Sequence, residues 1–220
     1  MLLKSLIKKI EKIFFYQKYN FFRKLRIFLK IDQKILIKNQ ELILPPGHLL
    51  SLYNYLYPKY DKFISKLVNS LDKNHSVIDI GANVGDTLIR LINSNSKLKY
   101  YSIEADKYFF KYLKKNTERM TSIFKTRITL IEELVGINLT GNLSKTSTGT
   151  KTLIENTEGM KSKKLDEIIL DYKIENIALI KVDVDGYDFN VLLSGMEYIT
   201  KHKPKLFFEY MSLNKNGYIE

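Results

Sequence analysis

The chain has 220 residues, 45% of them hydrophobic, no cysteine, three histidines and a formal net charge of +12. That length and apolar content can bury a sizeable core, most simply in one domain with an attached segment. Disulfides, thiolate metal sites and cysteine nucleophiles are excluded together. No HExxH-like spacing ties His48, His75 or His202 to carboxylates, so no structural metal is expected.

The charge is uneven. Residues 1–40 hold 11 Lys/Arg against two acids, a net +9, which leaves only +3 for residues 41–220. The balanced part gives no reason to expect a nucleic-acid partner. The chain therefore divides into a basic segment, 1–40, and a main domain, 41–220, whose cofactor-binding core is expected at about 76–210. In the basic segment Leu2, Leu3, Leu6, Ile7, Ile10, Ile13 and Phe14 fall at helical spacing, with Lys4, Lys8, Lys9, Glu11 and Lys12 on the other side. This is an amphipathic basic helix, too interrupted by charge to span a membrane. Phe21, Phe22, Arg23, Lys24 and Arg26 continue a mixture suited to an anionic headgroup layer, so residues 1–30 suit an anionic membrane surface. Packing of the apolar face on the domain is the equal alternative. A cytoplasmic location, peripheral at the inner face of the membrane, is the matching expectation.

Residues 31–47 read as a strand pair closed by Pro45, Pro46 and Gly47. From His48 to Leu71 the period is helical, with a break at Pro58. His48 reads mainly as a structural residue at a helix start, with a functional role as the minority reading.

Ser76 to Thr87, SVIDIGANVGDT, is a buried strand, a tight glycine turn and a helix start. Such a turn lets backbone approach a ligand closely beside the free amides of a helix N-terminus. The next strand, Lys99 to Ile103, is followed by Glu104, 23 positions after Gly81, close to the spacing at which a carboxylate accepts ribose hydroxyls. A third strand is expected over Arg127 to Val135, with Glu132 or Glu133 near its end. Residues 138–164, rich in Asn, Ser, Thr, Gly and Lys, read as a long functional or disordered connection. A strand over Ala178 to Val184 is apolar on both faces and ends in Asp183 and Asp185, where open α/β sheets bind ligands. One helix from Tyr187 and a strand over Pro204 to Tyr210, with Glu209 near its end, complete an α/β, parallel, doubly wound sheet. The turn is GxNxG; the GxGxxG of nicotinamide oxidoreductases, a rival reading, is absent.

VIDIGANVGDT, YYSIEAD, a TGT loop at Thr148 to Thr150, LDEII, IKVDVDGYDFNVL and PKLFFEY, in this order over about His48 to Tyr210, resemble the FkbM-type methyltransferases. The resemblance implies a Rossmann-like, three-layer class I methyltransferase sheet and S-adenosylmethionine as cofactor. It implies that Asp79, Gly81, Asn83 and Gly85 line the methionine and ribose side, and that Glu104 holds the ribose hydroxyls. It favours O-methylation of a sugar or other hydroxylated metabolite, a small-molecule or glycan acceptor. For a hydroxyl acceptor, Asp183 or Asp185 is the candidate base by position, although Asp183 as an organiser of the cofactor site is the competing role. Class I sheets normally end in an antiparallel hairpin; only MSLNKNGYIE follows PKLFFEY, so the sheet is expected to lack it. A noncatalytic, membrane-associated binding module is the alternative function.

Overall fold

A computed structural model describes residues 2–57, 62–124, 127–145, 151–155 and 157–209. The TGT loop at Thr148 to Thr150 and the C-terminal stretch after PKLFFEY, on which the expected lack of a hairpin rests, lie outside the described residues.

A long helix, α1 (Leu2–Leu29), leads into a hairpin of β1 (Gln33–Ile37) and β2 (Gln40–Leu44). Its two turn residues, Lys38 and Asn39, both have positive φ, as the tightest hairpin turns require. The hairpin straddles residue 40, so its strands stand on either side of the boundary drawn from charge. Helices α2 (Leu50–Leu56) and α3 (Lys62–Asn69) follow.

The alternating part comprises β3 (Ser76–Ile80), α4 (Asp86–Ser94), β4 (Lys99–Ile103), α5 (Lys107–Phe124) and β5 (Arg127–Ile131). After an excursion described below come α6 (Leu165–Asp171), β9 (Ile177–Val182), α7 (Asp188–Ser194), α8 (Met196–His202) and β10 (Lys205–Phe208). The five strands form a parallel sheet in the order β10-β9-β3-β4-β5. This is a Rossmann-like, doubly wound α/β fold. The chain starts at the central β3, winds outward through β4 and β5, then returns to the other side of β3 at β9. The winding direction reverses between β3 and β9, which opens a crevice at the strands' carboxyl ends.

All five residues of β3 are buried, because helices cover both faces. Alternation sends Val77, Tyr100 and Leu179 into one core with Leu42, Leu44, Ile64, Leu88 and Leu113. Ile78, Ile80, Ile103, Ile180 and Val182 enter the other core, against Leu165, Ile168 and Val191. The hairpin is thus part of the first core, through Ile37, Leu42 and Leu44.

Three expectations are corrected. The strand expected over Arg127 to Val135 ends at Ile131, and Val135 makes only an isolated bridge to Lys163. The helix expected from Tyr187 is two helices, broken at Gly195, whose added Cβ would press on the Leu165 side chain. The connection over 138–164 is no bare loop: β6 (Thr140–Lys145), β7 (Lys151–Glu155) and β8 (Met160–Lys161) make an antiparallel sheet in the order β7-β6-β8. Its few apolar side chains build their own small core, Leu139 and Leu153 with Leu134, flanked by Leu143, Met160 and Tyr187.

Candidate active site

The turn after β3 is built from backbone constraints. Gly81 has φ +77, and a Cβ there would run into the Asp183 carbonyl oxygen, so no other residue lets β3 and β9 end this close together. The Gly81 and Ala82 amides both donate to the Ile103 carbonyl at 3.0 Å, which folds the turn over the end of β4. Asn83 takes the left-handed conformation at φ 49, tolerated by asparagine more than by most residues.

Above these strand ends lies a cavity of about 510 Å³, a size that holds a nucleoside-type cofactor or a small metabolite. Gly81, Asn83, Asp86 and Thr87 line it from the turn and the start of α4, and Glu104 and Ala105 from the end of β4. Glu133, Leu134 and Val135 contribute from beyond β5; Leu139, Leu143, Leu153 and Tyr187 add an apolar wall. Asp183, Val184, Asp185 and Glu209 close the side under β9 and β10, while His48, Tyr53 and Tyr57 come from α2 and its flanks.

Glu104 is held by both of its carboxylate oxygens. One carboxylate oxygen accepts the Asn83 amide and the other the Asp106 amide, each at 2.8 Å. Burial pushes its pKa up to about 7, against the pull of those two N–H donors. Each oxygen keeps a further lone pair for a ligand hydroxyl.

Asp79, expected on the cofactor side, does not line the cavity. It lies under the cavity wall, 1% exposed, with Oδ1 2.9 Å from Lys181 Nζ. Register explains the meeting, since Asp79 and Lys181 are partners across β3 and β9. Lys181 also lies 3.3 Å from Asp183 Oδ2 and does line the cavity. Burial alone would push the lysine toward neutrality; the two carboxylates reverse that and hold it protonated. Breaking such a buried pair costs about 3–5 kcal/mol. Gly85, the other expected cofactor residue away from the wall, is the residue from which α4 starts, at φ +89.

The remaining expected residues are brought together. Gly81, Asn83, Glu104, Asp183 and Asp185 all line the one cavity. Of the alternative acids beyond β5, Glu133 lines it and Glu132 is exposed. Asp183 is 38% exposed at the side chain, open to the cavity. Glu209 and Asp188 stand in the same acidic neighbourhood, and both have pKa values raised, by burial first and then by Asp183.

His48 and Lys181 are the residues that sequence reasoning under-read. His48 Nδ1 accepts the Leu50 amide at 3.2 Å, which leaves the proton on Nε2, and Nε2 donates to Asn83 Oδ1 at 3.1 Å. The imidazole therefore steadies the glycine turn from outside the sheet. No local pattern announces that contact. Lys181 did leave a signal: a lysine inside IALIKV, a strand apolar on both faces, needs a buried counter-charge.

A Rossmann-like sheet with its cavity at the winding reversal, a glycine turn and a carboxylate closing the second strand defines a nucleotide-cofactor enzyme fold. The FkbM methyltransferase domain matches residues 79–218, well over half of the chain, and the chain belongs to that family. Among solved structures, it is similar to a SAM-dependent methyltransferase from Agrobacterium tumefaciens, with 9% identity and a TM-score of 0.43 over 69% of this chain and 39% of that one. A precorrin-6y C5,15-methyltransferase from Geobacter metallireducens gives 11% identity and a TM-score of 0.42 over 70% and 63% of the two chains. The tRNA (uracil-54, C5)-methyltransferase of Pyrococcus abyssi, in complex with S-adenosyl-L-homocysteine, gives 10% and 0.45 over 83% and 35%. In each case this chain spans less than two thirds of the other's length. No match was found among curated protein sequences.

Proposed function

We propose that the cavity binds S-adenosylmethionine and that the protein methylates a hydroxyl of a sugar or other hydroxylated metabolite. The observation that carries the cofactor is Glu104, a buried carboxylate facing the cavity from the end of β4 and bonded to the amide of Asn83. The residues present fit the group. Glu104 has acceptor capacity left for ribose hydroxyls, Gly81 is bare where a side chain would fill the turn, and the leucine wall suits a base. Glu133 also lines the cavity and would accept from an exocyclic amino group. When bound, the cofactor supplies a methyl group on a sulfonium, already a good leaving group, so the protein's main task is to position the acceptor.

Asp183 is the proposed acceptor of the hydroxyl proton, with Asp185 beside it. Lys181 Nζ, 3.3 Å away, pairs with the Asp183 carboxylate. Members of the family are linked by resemblance to hydroxyl acceptors, and a carboxylate at this point suits that chemistry. A cytoplasmic site of action is part of the proposal.

Calorimetry with S-adenosylmethionine, S-adenosylhomocysteine and NADH tests the cofactor. Binding of the first two and not the third is expected; binding of neither methyl-cycle compound favours a noncatalytic module. With a sugar acceptor, Asp183→Asn is expected to lower turnover roughly 100-fold or more while S-adenosylhomocysteine still binds. Unchanged turnover removes Asp183 as base, and lost cofactor binding assigns it the organising role.

A further inference from the structure

Helix α1 carries two apolar stripes, and the fold uses one of them. On the inner side Phe15 stacks on Tyr55 with ring centroids 3.7 Å apart, the Tyr19 hydroxyl donates to the His48 carbonyl at 2.7 Å, and Arg23 Nε donates to the Gly47 carbonyl at 2.8 Å. Steps of four residues keep 15, 19 and 23 on one face. A different face presents Phe14, Phe21 and Phe28, seven residues apart, at 68%, 66% and 82% exposure, joined by Leu25. Phenylalanines repeated at that spacing make a continuous stripe, and nothing among the described residues covers it. Exposed Lys18, Lys24 and Lys30 accompany it. Toward the N-terminus the sequence keeps the same period with Leu3, Ile7 and Ile10, interspersed with Lys4, Lys8 and Lys9.

We propose that this outward stripe docks on an anionic lipid bilayer. Charge selects the occupant. A second copy laid along the stripe would bring together two segments that each carry a net +9 over residues 1–40, whereas acidic headgroups complement the lysines while the aromatic rings enter the interface. The helix lies on the bilayer, since no described helix is long and apolar enough to cross it. Docking leaves the inner bonds to Gly47 and His48 intact, so the cavity that His48 lines is held at the membrane face without rearrangement. The inference stands on α1 alone and is independent of methyl transfer.

The test is sedimentation of the full chain with vesicles of phosphatidylcholine alone and of phosphatidylcholine with phosphatidylglycerol, with circular dichroism as the check on folding. Binding to the mixed vesicles only is expected, weakened by salt. Phe21→Ser with Phe28→Ser, and separately Lys18→Glu with Lys24→Glu, are each expected to lower the partition coefficient roughly tenfold or more. Both pairs lie on the outward side, so the fold is retained. Absent binding, equal binding to both vesicle types, or wild-type binding by both variants overturns the proposal. So does a dimer, seen by sedimentation velocity, that the same substitutions dissociate, which assigns the stripe to a second copy.

Discussion

Glu104 holds the glycine turn through the Asn83 amide and offers its remaining lone pairs to the cavity. Its folded pKa, about 7, lies above the ordinary 4.5 because burial outweighs the two N–H donors. A raised acid contributes stability that is fully present below the unfolded value and is lost as pH rises through the folded one. The loss for this group is about 3 kcal/mol. Glu104→Gln has no such titration. Between about pH 5 and pH 8 the wild-type urea midpoint is expected to fall relative to that of the Gln variant, and two parallel profiles would contradict the assignment. Glu104 was legible because a carboxylate one residue past a strand, at a fixed distance from a glycine turn, occupies a defined place. Asp79 was not: a carboxylate in a buried strand reads the same whether it meets a ligand or a lysine on the next strand. The β3–β9 register is what puts Lys181 beside it.

Asn116 shows how elements are tied at the site. Fully buried on α5, it accepts the Ile43 amide at 2.9 Å and donates to the Ile43 and Val84 carbonyls at 2.9 and 2.8 Å. One side chain thereby joins α5, the hairpin and the glycine turn. Asn116→Leu keeps the number and branching of side-chain heavy atoms but strands these backbone groups, each worth roughly 1–3 kcal/mol when left unsatisfied. Loss of at least about 2 kcal/mol in urea unfolding is expected; a loss below about 0.5 kcal/mol would show that the backbone groups find other partners. The strands of the main sheet could be read from the sequence because each is a short apolar run bounded by turn residues. The sheet over 140–161 could not, since two or three leucines among polar residues become a pattern only once Leu134 and Tyr187 stand opposite them.

At the scale of the molecule, the cavity is assembled from elements far apart in sequence: α2 and its flanks, the glycine turn, the ends of β4 and β9, and the antiparallel insertion. A ligand that fits only this assembly stabilises the whole fold by linkage, by about 2.7 kcal/mol at 100 times its dissociation constant. For a chain of this length that is a rise in Tm of roughly 5–10 °C. S-adenosylhomocysteine is expected to produce it and NADH not to, in a thermal melt followed by circular dichroism. No shift at saturating ligand would set the proposed cofactor aside.

The sequence by itself determined the alternation of strands and helices, the family and the chemical parts of the turn, because these depend on local period and on residue types at short spacing. Tertiary structure alone decided which charges meet. It buried Asp79 against Lys181, set His48 on Asn83, brought Leu139, Leu143 and Leu153 to the cavity wall and, among the described residues, left a second face of α1 bare. Each of these depends on which distant residue is brought opposite, and local spacing carries no record of that.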